Sequence, residues 1–215
     1  MKQNESLRLS IPKDQLSKLP SSGYEGKIVV IDKDEDIQAA VAVLSNYKFI
    51  GLDTETRPSF NKGRYYKVSL IQLATPEICF LFRINKLSNP GEIIKIIENE
   101  NITKIGLSLN DDFRSLNKIY SFEPKNFIDL QSFVKDYHII DNSLSRIHGI
   151  IFGEKISKAQ RLTNWESSEL TNAQKAYAAL DAYACLKIYN HLKNGLFNPY
   201  ESNYIIKENP ENEEL

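Results

Sequence analysis

A turn of two residues, Thr75-Pro76, constrains this chain more than any other feature. It joins two apolar runs, residues 65–74 (YYKVSLIQLA) and 77–83, that are both patterned as strands. So short a connection permits only antiparallel pairing, because a parallel crossover needs about a dozen residues or more. The other apolar runs are connected differently. Residues 27–32 (KIVVID) and 48–54 flank residues 33–46, in which Ile37, Ala40, Val41 and Leu44 recur at helical spacing. Pro90 opens a helix to about residue 99 and a strand follows at 102–107; Asn110 or Asp111 then caps a helix to about residue 119. A last short strand is expected at 127–130. Helices interleaved with strands, and one hairpin in the middle, predict an α/β domain with a mixed sheet and helices on its faces.

At 215 residues the chain fits one domain with a sizeable core. Residues 1–26 form an N-terminal extension to which no chemistry is assigned, although Ile11, Leu16 and Leu19 offer a docking face, through a short helix. Residues 27–194 form the domain, and residues 195–215 a solvated or loosely docked tail with the acidic ending ENPENEEL. A hydrophobic content of 41% with 26% charged residues is that of a soluble globular protein. No apolar run approaches the roughly 20 residues that span a bilayer. No signal-type apolar stretch begins the chain, so a cytoplasmic location is expected. Cys79 and Cys185 lack metal-type spacing and are expected to be free and buried, while the three scattered histidines argue against a His-based metal site or Ser–His triad. A net charge of −1 argues against a broad basic surface for nucleic acid, but not against local gripping of phosphates through metal ions.

Residues 170–192 read as one long helix. Thr171 and Gln174 form a capping box at its start, and Gly195 stands where it should stop. Tyr177 and Asp181, four apart, share a face. Asp181 sits in an apolar stretch, where a carboxylate needs a charged partner.

Further carboxylates lie at strand ends. Asp53 and Glu55 are two apart and therefore point to the same side of the sheet. Two such groups repel unless a cation sits between them, and oxygen-only ligation suits Mg²⁺ or Mn²⁺. A solvated strand end is the alternative. Asp111 and Asp112 open the helix that follows KIGLSL; one of them serves as its cap, and the other stands at the edge of the sheet where open α/β folds place their sites.

In order along the chain stand GLDTET (51–56), KVSLIQLAT (67–75), KIGLSLNDDFRSL (104–116), RLTNWESSELTNAQ (161–174) and YAALDAY (177–183). DxE alone is common; the whole ordered set resembles the DEDD superfamily of 3′–5′ exonucleases, in the subclass with a tyrosine in its third motif. The likeness is strongest to Werner-type exonuclease domains and more distant to ribonuclease D. It spans roughly residues 27–192. It implies an RNase H-like fold with a five-stranded mixed sheet. It implies two divalent ions, Mg²⁺ or Mn²⁺, held by Asp53, Glu55, Asp112 and Asp181, with Asp53 bridging. Asp112 rather than Asp111 matches the motif because an apolar residue, Leu116, follows it by four. Tyr177 is then the residue that orients the attacking water.

The implied activity is hydrolysis of phosphodiester bonds from a free 3′ end, releasing nucleoside 5′-monophosphates. Lys155, Lys158 and Arg161 are candidates for backbone contact, with a solvated basic face as the alternative. Phe113 is a candidate for stacking on a terminal base, with a core aromatic as the alternative. Trp165 reads as a structural anchor and Cys185 as packing. The Werner-like third motif tilts the substrate toward DNA. An RNA-processing exoribonuclease and a non-catalytic nucleic-acid-binding module are the competing readings, with protein partners as a source of substrate choice.

Overall fold

In the computed structural model, residues 7–61, 63 and 65–206 are described. The acidic ending and the first six residues of the extension lie outside them. The Thr75-Pro76 turn closes on itself. Thr75 N–H donates to the Ile78 carbonyl at 2.8 Å, and the Thr75 hydroxyl oxygen accepts from Ile78 N–H at 3.1 Å. The strands on either side, β3 and β4, pair antiparallel.

In chain order the elements are α1 (Lys13–Lys18), β1 (Lys27–Ile31), α2 (Ile37–Leu44), β2 (Phe49–Thr56), β3 (Val68–Ala74) and β4 (Ile78–Phe82). There follow α3 (Gly91–Glu98), β5 (Thr103–Gly106), α4 (Leu109–Asn117), β6 (Phe127–Asp129), α5 (Leu130–Phe133), α6 (Leu144–Phe152) and α7 (Asn172–Lys193). β3 begins three residues later than its apolar pattern suggests. β2 ends at Thr56, which pairs with Val68, so residues 65–67 find no strand beside them.

The sheet has the order β1-β4-β3-β2-β5-β6. β3 alone runs against the others, since β1 is parallel to β4, β2 to β5 and β5 to β6. The sheet therefore has six strands rather than the five implied by the resemblance. The three residues of β6 complete the edge by pairing with Lys104, Ile105 and Gly106.

Alternation along the strands divides the core in two. Leu52, Ile71, Leu73, Phe80 and Phe82 face α2, α3 and α4. Leu70, Ala74, Cys79, Leu81 and Ile105 face the layer of α5, α6 and α7. At 22 residues, or about 33 Å, α7 is long enough to cross most of the sheet. Ala178, Ala179 and Ala182 let it lie close to the strands. Its capping box is formed as its sequence predicts.

The two flanking segments pack on this core. Ile11 is fully buried, and Leu16 and Leu19 pack beside it through α1. The described part of the tail docks through a few side chains, since Phe197 and Tyr204 cover apolar surface and Leu9 bridges Ile139 and Ile205, while most of its residues stay exposed. Among the described residues no helix is long and apolar enough to cross a membrane. Cys79 and Cys185 are free and buried.

Candidate metal and nucleic-acid site

Strand alternation puts Gly51, Asp53 and Glu55 of β2 on the face that α7 covers. Gly51 sets the height of α7, because a Cβ there would collide with the Ala182 carbonyl oxygen. With that helix seated so low, Asp181 comes down beside the strand. Carboxylate oxygens of Asp53, Glu55 and Asp181 all lie within 4.8 Å of one another.

Asp112 arrives from the other layer. It lies in the first turn of α4 and accepts a hydrogen bond from the Thr54 hydroxyl, whose own alternation places it opposite its neighbours. Asp111, one residue earlier, is exposed and takes the Ser108 hydroxyl at 3.2 Å and Arg114 at 3.5 Å. Neither Asn110 nor Asp111 caps the helix. α4 begins at Leu109, after Ser108 in the left-handed region with φ of 64°. Its free N–H groups are taken by Asp129 at the end of β6, which accepts from Ser108 N–H at 3.1 Å and Leu109 N–H at 3.0 Å. The same carboxylate accepts from Gln131 N–H at 2.9 Å and so also caps α5.

The electrostatics of the cluster follow from burial and crowding. Glu55 and Asp181 are each 8% exposed and Asp53 is half-buried. Burial, then Asp181, Asp112 and Glu55, hold the Asp53 carboxyl well above its ordinary range. Burial and the same neighbours Asp181 and Asp112 push Glu55 up to about 9. Burial raises Asp112 to about 7 against the opposing Thr54 hydrogen bond, and raises Asp181 to about 7 against Tyr177 and Lys158. Crowded, buried oxygens of this kind are a donor set that a hard divalent cation relieves.

Tyr177 lies one turn before Asp181 on the same helix face, and the two side chains line one cleft. The Tyr177 ring centroid is 6.1 Å from that of Trp165, which is fully buried. The segment carrying Trp165 is tied down at several points. Gln174, the capping-box residue, donates to the Thr163 hydroxyl at 3.0 Å and to the Asn164 carbonyl at 3.2 Å. Arg83 donates to the Ser167 and Ser168 carbonyls, and Arg57 pairs with Glu166 at 3.2 Å.

Two of the basic candidates join the cluster. Lys158 and Arg161 line a cleft of about 220 Å³ with Tyr177 and Asp181. The Lys158 charge draws Asp181 down, and the Arg161 charge does the same to Glu55. Lys155 points elsewhere, donating its amine to the Ser17 carbonyl. Phe113 is in the core, 3% exposed and edge-on to Phe122 and Phe127, so its ring has no free face for a base. Gln72, not among the residues that the motifs assign to the site, also faces the cluster. It lies opposite Asp53 on β3, fully buried, and neither polar atom of its amide finds a hydrogen-bond partner among the described residues. A polar residue inside the apolar run SLIQLA was the signal available for it.

A family model described as 3′–5′ exonuclease matches residues 28–196. The bifunctional 3′–5′ exonuclease/ATP-dependent helicase WRN of Mus musculus is 32% identical over 158 residues, 70% of this chain and 11% of its own length. The chain spans between 11% and 54% of the lengths of four curated relatives that it matches. The solved exonuclease domain of Aedes aegypti Nibbler superposes with a TM-score of 0.71 at 22% identity, covering 84% of this chain and 97% of that one. RNase D of Escherichia coli, an exoribonuclease involved in structured RNA processing, also superposes at 0.71 and 22% identity, over 78% of this chain and 44% of that one. At such identities the structural likeness speaks for the fold.

Proposed function

The chain belongs to the 3′–5′ exonuclease family, and on that premise we propose that it removes nucleotides from the 3′ end of a nucleic acid by metal-dependent hydrolysis, releasing nucleoside 5′-monophosphates. The observation that carries this reading is the convergence of Asp53, Glu55 and Asp181 to within 4.8 Å beneath a tyrosine one helical turn away. We assign Asp53, Glu55, Asp112 and Asp181 as the residues that would hold two divalent ions, Mg²⁺ or Mn²⁺. Bound there, such ions supply a water of low pKa and electrostatic compensation at the leaving 3′-oxygen.

The remaining work belongs to side chains. Burial, then Asp181 and Glu55, push the Tyr177 phenol well above its ordinary range, so it keeps its proton and orients the attacking water as a hydrogen-bond donor. Lys158 and Arg161, on the wall of the same cleft, hold the phosphate oxygens through charge-assisted hydrogen bonds. We assign catalysis to residues 27–194. Two free buried thiols support a reducing compartment such as the cytoplasm.

DNA is the first substrate to test, supported by the third motif YAALDAY and by the likeness to an exonuclease/helicase. RNA is the second, supported by the fold shared with an exoribonuclease. The test incubates 5′-labelled single-stranded DNA, recessed-3′ duplex and RNA with the chain and Mg²⁺ or Mn²⁺. The expected result is a ladder that shortens from the 3′ end and is slowed about a hundredfold or more in Asp181→Ala. Equal ladders from the two proteins would overturn the assignment. Release of the label as a mononucleotide would reverse the polarity.

A further inference from the structure

A cavity of about 480 Å³ adjoins the cleft of Tyr177 and Asp181. Four cations, Lys13, Arg146, Lys155 and Lys158, line it together with serines and the apolar Leu16 and Ile156, and no carboxylate does. Ser143, Ser145, Ile156 and Lys158 line both spaces, which therefore share a wall. Of the four cations, Arg146 pairs with a carboxylate, that of Asp141, whereas among the described residues the three lysines have none within ion-pair distance. Elsewhere on the molecule, lysines at 33, 86, 95 and 125 do stand within ion-pair distance of carboxylates. In a chain of net charge −1, four cations around one hollow are a local concentration.

The hollow is also held in shape. The Lys155 amine donates to the Ser17 carbonyl. Lys155 N–H donates to the Pro20 carbonyl at 2.9 Å, and Ser22 N–H to the Lys155 carbonyl at 2.9 Å. Arg146 donates to Asp141 at 2.8 Å, and the other oxygen of Asp141 accepts from Ile11 N–H at 3.0 Å. The N-terminal segment, which precedes the family-matched residues 28–196, thus forms one wall and contributes Lys13 from α1.

We propose that this hollow is a second nucleic-acid subsite, which takes backbone phosphates of the scissile strand on the 5′ side of the terminal nucleotide. The proposal rests on the exonuclease reading for where the strand ends. Lys158 lines both the cleft and the hollow, so a strand whose last phosphate lies at Tyr177 and Asp181 and which leaves over their shared wall runs into the hollow. Backbone recognition by point charges is independent of base and of sugar, so DNA and RNA are held alike.

Binding is measured by fluorescence anisotropy with 5′-labelled dinucleotide and octanucleotide, as DNA and as RNA. The parent carries Asp181→Ala, so that the strand stays intact during the titration. It is compared with the same protein bearing Lys13→Glu, alone and with Lys155→Met. Lys13 is exposed on α1, so the single variant folds whatever Lys155 contributes to the N-terminal wall. The octanucleotide is expected to bind about tenfold more weakly to the double variant, and the dinucleotide within about twofold of the parent. The slope of log affinity on log salt should become shallower by about 0.7 for each cation lost. Unchanged octanucleotide affinity and salt slope would overturn the subsite, as would a loss confined to one sugar. The exonuclease reading is judged separately, by whether the chain with Asp181 intact shortens the strand at all.

Discussion

Tyr177 and Asp181 share a helix face by spacing alone, but their environment decides what the tyrosine can do. A phenol pushed well above its ordinary range by burial and by two carboxylates is a donor, not a base, at neutral pH. Tyr177→Phe keeps the ring against Trp165 and removes only the hydroxyl. Its turnover should fall about a hundredfold, the lower end for a positioned acid–base group. Mn²⁺ affinity, followed by calorimetry, should change less than about twofold. An unchanged turnover number would remove the hydroxyl from the mechanism. At this scale much was legible in the sequence, because strand alternation placed Asp53 with Glu55 and helical spacing placed Tyr177 with Asp181. Gln72 was not legible. Its register opposite Asp53 is a property of two strands, and its lack of a partner is a property of the helix laid over them.

The elements show the same boundary between local and non-local information. The hairpin and the capping box of α7 were readable because all their atoms lie within a few residues of one another. The start of α4 was misread because its cap comes from Asp129, some twenty residues downstream on a neighbouring strand. That carboxylate joins two helix N-termini, and α4 carries Asp112. Asp129→Ala should therefore cost about 2 kcal/mol, roughly two caps' worth, in urea unfolding. It should also lower turnover by loosening the Asp112 carboxylate from its place beside Thr54. Asp111→Asn, which alters only an exposed pair, should stay within about 0.5 kcal/mol of wild type. If Asp111→Asn proved the more costly of the two, the capping role of Asp129 would be wrong. The sixth strand belongs here as well, since three residues, FID, become a strand only because β5 offers them an edge.

For the whole molecule, the carboxylate cluster makes stability depend on pH and on metal. In the folded chain Asp112 and Asp181 are raised to about 7 and Glu55 to about 9, against values near 4 for such groups when unfolded. Between about pH 4 and pH 9 the folded state therefore binds more protons than the unfolded one, so stability falls as pH rises through this window. Divalent ions reverse the loss by taking the place of those protons. In EDTA the melting temperature should drop from pH 5.5 to pH 8.5. Saturating Mn²⁺ should restore it, with the larger gain at the higher pH, where fewer protons compete. At a hundred times its dissociation constant the ion adds about 2.7 kcal/mol. Asp53→Asn, with one charge fewer at the centre of the cluster, should melt with a flatter pH dependence and a smaller response to Mn²⁺. A wild-type melting temperature indifferent to both pH and Mn²⁺ would mean that the four carboxylates neither repel one another in the folded chain nor hold a cation.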